Sequence, residues 1–256
     1  MRITSFNCKN LKSSIHEVQQ LCSVSDIVLL QETWLAKDEL TTLNNVHSDF
    51  YGRGVSSMDT SSCILRGLPY GGLAVLWRKT ISEVSITDMD DLMCIEVKWK
   101  KTHFALINVY LPVDNTQNFD DFLQYIAKIN DFVQNYKSPY IAICGDFNAN
   151  IQSNSSSRFG RKLQEYCHDE NLVIADQLMC PDSSFTFLSE AHHSVSWLDH
   201  IVTTNNVLPL IKEISISYNY VSSDHYPIHA VLDMSLATAH PQRDTINSQN
   251  ITPCIH

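Results

Sequence analysis

Apolar positions divide the chain into short continuous runs and helical stripes. Residues 2–7 read as a strand. Leu11, Ile15, Val18 and Leu21 then recur at helical spacing and predict an amphipathic helix over 11–22. Asp26–Leu30 is a buried-strand pattern that ends at Gln31-Glu32-Thr33-Trp34, and residues 36–45 predict a second helix. From 48 to 71 the spacing breaks down, and Gly52, Gly54, Ser56, Ser57, Gly67, Pro69 and Gly71 mark a long loop with a short strand at its start. Loops of that length inside compact domains are usually functional or mobile.

The pattern changes over 72–110. Leu73–Trp77, Ile81–Ile86, Leu92–Trp99 and His103–Tyr110 are strand candidates separated by turn-length gaps, which points to antiparallel pairing. Phe119, Phe122, Leu123, Ile126, Ile129, Phe132, Val133 and Tyr136 form the clearest helical stripe, with Asp120 and Asp121 in its favourable first turn. Residues 140–145 follow as an apolar run between Pro139 and Gly145, the mark of a strand buried on both faces. A helix over 158–170 is capped by Ser156 or Ser157, and strands are expected at 185–188, 198–203, 208–216 and 226–233. Ser235–His256 is polar and aperiodic, read as a disordered tail or linker after one domain at 1–234.

The class is mixed α/β. The antiparallel block excludes a purely parallel doubly wound sheet and favours two packed mixed β-sheets with helices outside.

At 256 residues and 44% hydrophobic content, the chain can bury a full core without covalent staples. Its net charge of -10 argues against a protein that coats nucleic acid. It leaves room for an enzyme that touches nucleic acid at an acidic, metal-holding site. Eight cysteines include no Cys-x-x-Cys pair, and Cys94 and Cys144 sit in apolar runs as small core residues. No stretch has signal-peptide or membrane-span length, so an intracellular, reducing compartment and no membrane partner are expected.

The chemistry gathers where strands end. Asn7 closes the first strand, and Glu32 and Tyr110 close two others. Asp146 and Asn148 follow the 140–145 run, Asp199 lies in Trp197-Leu198-Asp199-His200, and Asp224-His225 precedes the last strand. Each could be a turn residue, since Asp and Asn bond their own backbone. Strand ends on one sheet edge also share a site. Carboxylates without a Cys or His cluster make an oxygen-rich set suited to magnesium or manganese rather than zinc. With no nucleophile elbow, phosphate loop or dinucleotide fingerprint, metal-assisted phosphodiester hydrolysis is the chemistry these groups suit.

The segments Ser5-Phe6-Asn7, Gln31-Glu32-Thr33-Trp34, Asn108-Val109-Tyr110-Leu111-Pro112, Gly145-Asp146-Phe147-Asn148, Leu198-Asp199-His200 and Ser223-Asp224-His225-Tyr226-Pro227 occur in the order of the endonuclease/exonuclease/phosphatase superfamily, which the chain resembles over residues 2–233. Gly67–Trp77 looks most like the apurinic-type endonuclease domains of non-LTR retrotransposons. The resemblance implies a four-layer α/β-sandwich and a magnesium-dependent DNA endonuclease. Glu32 would ligate the metal, with Asn7 and Asp224 nearby. Asp146, helped by Asn148, would orient and deprotonate the attacking water. Tyr110 and His225 would stabilise charge on the phosphate, and Asp199 would hold and charge His225.

Nicking would leave a 3′-hydroxyl and a 5′-phosphate, the 3′ end serving reverse transcription. It would occur in the nucleus, by a monomer, with a reverse transcriptase domain as a partner in the same polyprotein. Two departures stand out: Lys9 where relatives often carry an acid, and Val113 where abasic-site repair enzymes carry asparagine. Lys9 therefore becomes a candidate DNA contact. His192 and His193 lie in a segment that forms a groove-entering hairpin in retrotransposon relatives, against the simpler reading of a surface loop. The competing functions are a phosphatase or phosphodiesterase on inositol phosphates or lipids, and an inactive scaffold.

Overall fold

The computed structural model describes residues 1–58, 69–89, 92–99, 102–152 and 156–237. In its first part β1 (Arg2–Asn7), α1 (Ile15–Val24), β2 (Ile27–Gln31), a 3-10 segment (Lys37–Asn45), β3 (Phe50–Val55) and β4 (Leu73–Arg78) follow in order. Next come β5 (Val84–Met89), β6 (Leu92–Trp99), β7 (Thr102–Tyr110), α2 (Phe119–Asn135), β8 (Ile141–Asp146) and α3 (Arg158–Asp169). The chain continues through β9 (Leu172–Ile174), α4 (Ala175–Met179), β10 (Phe187–Ser189), β11 (Ser194–Ser196), β12 (Asp199–Thr204), β13 (Ile211–Ile216) and β14 (Ile228–Leu232).

These strands form two six-stranded sheets, ordered β13-β14-β1-β2-β4-β3 and β5-β6-β7-β8-β12-β9, plus a separate β10–β11 hairpin. In each large sheet one pair is parallel, β1 with β2 and β7 with β8, and the other neighbours are antiparallel. Side-chain alternation explains the stacking. Ile27 and Leu29 of β2 point into the core between the sheets, while Val28 and Leu30 pack under α1. Ala142 and Cys144 of β8 meet that same inter-sheet core, and Ile141 and Ile143 pack against α2 and α3 with Phe122 and Phe159. Strands apolar on both faces therefore sit inside a four-layer sandwich, as their sequences predict.

Several boundaries differ from the sequence reading. The first helix starts at Ile15 rather than Leu11, because the preceding loop is held across the end of β2. There Cys8 N–H donates to Gln31 O at 3.0 Å and Leu11 N–H to Thr33 O at 3.1 Å. The expected helix over 36–45 is a 3-10 segment, with Glu39 accepting from Ala36 N–H at 3.0 Å. β4 leaves the antiparallel block and inserts between β2 and β3, because both its faces are apolar and the short link to β5 crosses between sheets. The strand expected from Ile81 begins at Val84. β9, α4 and β11 are too short to impose a period.

The N-cap at Ser157 is present, its hydroxyl accepting from Gly160 N–H at 3.1 Å. Among the described residues Cys8, Cys22, Cys94, Cys144, Cys167 and Cys180 are free thiols. No helix of these residues is long and apolar enough to cross a membrane. The part of the expected tail from 238 to 256 lies outside the described residues, as do Cys63 and Cys254.

Candidate active site

Strand direction brings the polar residues together. β1 and β2 run parallel, so Asn7 and Glu32 emerge at one edge. β14 runs antiparallel to β1, with Ser5 opposite Ile228, which returns the preceding Asp224 and His225 to the same edge. In the second sheet Tyr110 and Asp199 both stand opposite Asp146. Asn7 joins the two edges, its amide donating to Glu32 Oε1 and to Asp146 Oδ2, each at 2.9 Å.

Asp146 sits almost fully buried at the centre. Asn148 N–H donates to its Oδ1 at 2.8 Å, and the Asn148 side chain is fixed by donating to Leu111 O at 2.9 Å. His225 places Nδ1 2.8 Å from Asp199 Oδ2 and Nε2 3.7 Å from Asp146 Oδ2. Burial opposes a charge on His225, but the carboxylates of Asp199 and Asp146 outweigh it and raise its pKa well above that of a free imidazole. Burial likewise raises Asp146 above the usual carboxylate range, against the pull of His225. The arrangement is an imidazolium between two carboxylates, one of which has a strong affinity for a proton. Burial, then Glu32 and Asp146, push the Tyr110 phenol far up, so it stays an O–H donor, hydrogen-bonded to Glu32.

The backbone around these groups is unusual. Lys9, Asn10, Glu32, Trp34 and Asn148 all have positive φ. Non-glycine residues in this region cost energy and tend to cluster at functional sites. Gly145 solves the tightest approach, since a Cβ there would lie 2.0 Å from Val109 O.

All of the expected residues except His192 and His193 gather at this edge. Those two are exposed in the turn between β10 and β11. The base of the hairpin does reach the site: Leu188 N–H donates to Asp224 O at 2.9 Å, and the Phe187 ring lies 4.9 Å from that of His225. Lys9 Nζ is 2.6 Å from Asp224 Oδ2, so the lysine engages this carboxylate within the protein. Beside the pair opens a groove of about 690 Å³, lined by Trp34, Phe187, Ser189 and Tyr226 among others.

Four supports escaped the sequence reading. Trp34 Nε1 donates to Glu32 Oε2 at 3.1 Å. Gln31 donates to Asn108 Oδ1 at 2.7 Å, and Asn108 donates back to Leu30 O and Ala74 O, locking one sheet to the other under Glu32. Thr186 Oγ1 accepts from both Leu198 and Asp199 N–H. Asp176 pairs with His200 behind the site. Trp34, Gln31 and Asn108 lie inside the segments singled out above and could have been found there; Asp176 and Thr186 carry no local signal.

Asp146, Asp199 and His225 bring their ligand atoms within 4.8 Å of one another, close enough to surround an ion. The paired, charge-favouring imidazole makes a poor metal ligand, so this trio suits proton handling better. A hard cation fits Glu32, a half-buried carboxylate whose oxygens accept from Asn7, Trp34 and Tyr110 among the described residues.

Fold and site together define a phosphodiester hydrolase, with a buried acid–imidazole pair set beside an oxygen donor for a cation. The chain belongs to the endonuclease/exonuclease/phosphatase family, whose family model matches residues 4–225. Solved structures share the architecture. A Neisseria 3′ phosphatase, NExo, bound to a product DNA hairpin superposes with a TM-score of 0.72 at 19% identity, covering 91% of this chain and 99% of that one. An AP endonuclease from Archaeoglobus fulgidus gives 0.71 at 16%, covering 91% and 99%. The AP endonuclease of Leishmania major gives 0.70 at 13%, covering 90% and 86%.

Proposed function

We propose that the chain is a magnesium-dependent DNA endonuclease that nicks one strand by in-line water attack, leaving a 3′-hydroxyl and a 5′-phosphate. The observation that carries this is Asn7 joining Glu32 to Asp146, which sets the cation donor beside the proton acceptor. Glu32 would hold the ion, manganese serving as well as magnesium, with Asn7 fixing that carboxylate and the Lys9–Asp224 pair at the rim. The bound cation would supply positive charge to the phosphate oxygens. Asp146, held by Asn148, accepts the proton of the attacking water as the oxygen–phosphorus bond forms. His225, kept charged by Asp199, donates to the phosphate as its charge builds, and the Tyr110 hydroxyl joins it by turning its one proton away from Glu32. The bond to the 3′ oxygen breaks, and that oxygen takes a proton from solvent.

DNA as substrate is supported by the product hairpin in the Neisseria 3′ phosphatase and by the structural likeness to AP endonucleases. Target nicking for retrotransposition, in the nucleus and beside a reverse transcriptase domain, rests on the Gly67–Trp77 resemblance. The test is supercoiled plasmid with and without magnesium, beside Asp146→Asn and His225→Ala. Nicking that needs the ion and is lost in both variants supports the reading. Nicking that survives chelation or both substitutions would sink it. Phosphate release from an inositol phosphate without nicking would favour a phosphatase.

A further inference from the structure

His200 and Asp176 take no part in the mechanism above, yet neither side chain has any exposure. Both ring nitrogens of His200 face acceptors: Nδ1 lies 2.8 Å from Asp176 Oδ2, and Nε2 lies 2.9 Å from Ala149 O. The other Asp176 oxygen accepts from Ile201 N–H at 2.8 Å. Three segments meet here: α4, the start of β12 that carries Asp199, and the loop after β8 that carries Asn148. That loop is joined at two further points to the segment leading into β12, Phe147 N–H to Leu198 O and Trp197 N–H to Asn150 Oδ1. The His200 contact ties it to the body through a side chain that is itself anchored on a third element, Asp176 of α4.

A buried ion pair is a poor source of stability, since desolvation consumes most of its attraction. Directional bonding is what it offers. Ala149 directly follows Asn148, whose positive φ needs external support, and Asn148 N–H fixes Asp146. Asp199, directly before His200, fixes His225.

We propose that His200 is a positioning residue, clamped between Asp176 and Ala149 O, that sets the Asp146–Asn148 loop in register with the Asp199–His225 pair. The proposal rests on the hydrolytic reading above. Displacing a reacting group by about 1 Å costs on the order of a hundredfold in rate, so the clamp should show in kcat rather than KM.

The experiment compares Asp176→Asn with Asp176→Asn plus His200→Leu. The single variant keeps both contacts, its amide donating to Nδ1 and Nε2–H still donating to Ala149 O. The double variant removes the ring and leaves no buried charge. The single variant should keep kcat on plasmid within about fivefold, and the double variant should lose about a hundredfold with KM little changed. NMR signals of the Asn148 side chain and the His225 ring should move in the double variant only. A double variant with near wild-type kcat and unmoved signals overturns the proposal. If it fails to fold, Asp176→Asn decides: a hundredfold loss with unmoved signals would make His200 act through charge and overturn positioning. An inactive wild type would refute the nuclease reading, and the NMR comparison would still decide the clamp.

Discussion

Asp199→Asn isolates the electrostatic core of the mechanism, because it removes one charge and little volume. Asp199 Oδ2 lies 2.8 Å from His225 Nδ1, and both side chains are almost fully buried. Two unit charges about 4 Å apart at an effective dielectric near 20 attract by about 4 kcal/mol, or about three pKa units on the histidine. Asp146 remains 3.7 Å from the opposite nitrogen, so part of the upward shift survives, while the desolvation cost is unchanged. The amide should therefore lower the His225 pKa from about 10 to about 7. At about pH 9 the ring is then neutral in the variant and still mostly charged in the wild type, which removes a charged donor from the phosphate there. Loss of one such donor lowers kcat on the order of a hundred- to a thousandfold. Plasmid nicking gives the rate, and a titration of the His225 ring by NMR gives the cause. The reasoning fails if at about pH 9 the variant nicks within about fivefold of wild type, or if His225 is still charged there.

Asn7→Ala removes the amide that donates to both Glu32 and Asp146, so kcat should fall about a hundredfold and the magnesium concentration for half-maximal nicking should rise. Gly145→Ala forces a Cβ against Val109 O at a φ of 147°, so urea unfolding should show a loss of about 3 kcal/mol; an unchanged midpoint would contradict the packing. His229, bonded to Thr4 and Ser217, is held by burial at a pKa of about 4. Above the unfolded value near 6.5 both states are neutral and nothing is lost; between about 6.5 and 4 only the unfolded chain takes the proton, so stability declines as pH falls. After a discount for the part-exposed ring the decline is on the order of 2 kcal/mol, and His229→Gln should flatten it in denaturation curves at several pH values.

The sandwich was legible because its central strands are apolar on both faces. Val28–Leu30 and Ile141–Cys144 have no polar side to turn outward, which requires cover on each side. Sheet membership was not legible. β4 is as apolar as β6, and nothing local distinguishes a turn within a sheet from one that crosses between sheets. At the site, residues that end long strands were found because the strand marks its own end. Asp176 was missed because it reaches His200 from a five-residue helix, and its meaning exists only in three dimensions. Asp224 was expected beside the cation through resemblance, whereas its carboxylate is engaged by Lys9, a partner 215 positions away in the sequence.

The strained loops explain why the site sits where the two sheets meet. Five non-glycine residues with positive φ, at roughly 1–3 kcal/mol each, would not persist on a free edge. They persist because each loop is hydrogen-bonded to a neighbouring segment. Leu11 N–H bonds Thr33, Trp34 N–H bonds Gly71 O at 3.0 Å, and Asn148 bonds Leu111 O. Asn108 and Asn7 then bond across the sheets themselves, one beneath the site and one within it. Slippage of one sheet against the other would break Asn7 from Asp146 before it exposed any core. The spacing between the Glu32 carboxylate and the proton acceptor is thus set by inter-sheet packing, and core substitutions that shift the sheets without unfolding them should lower kcat ahead of stability.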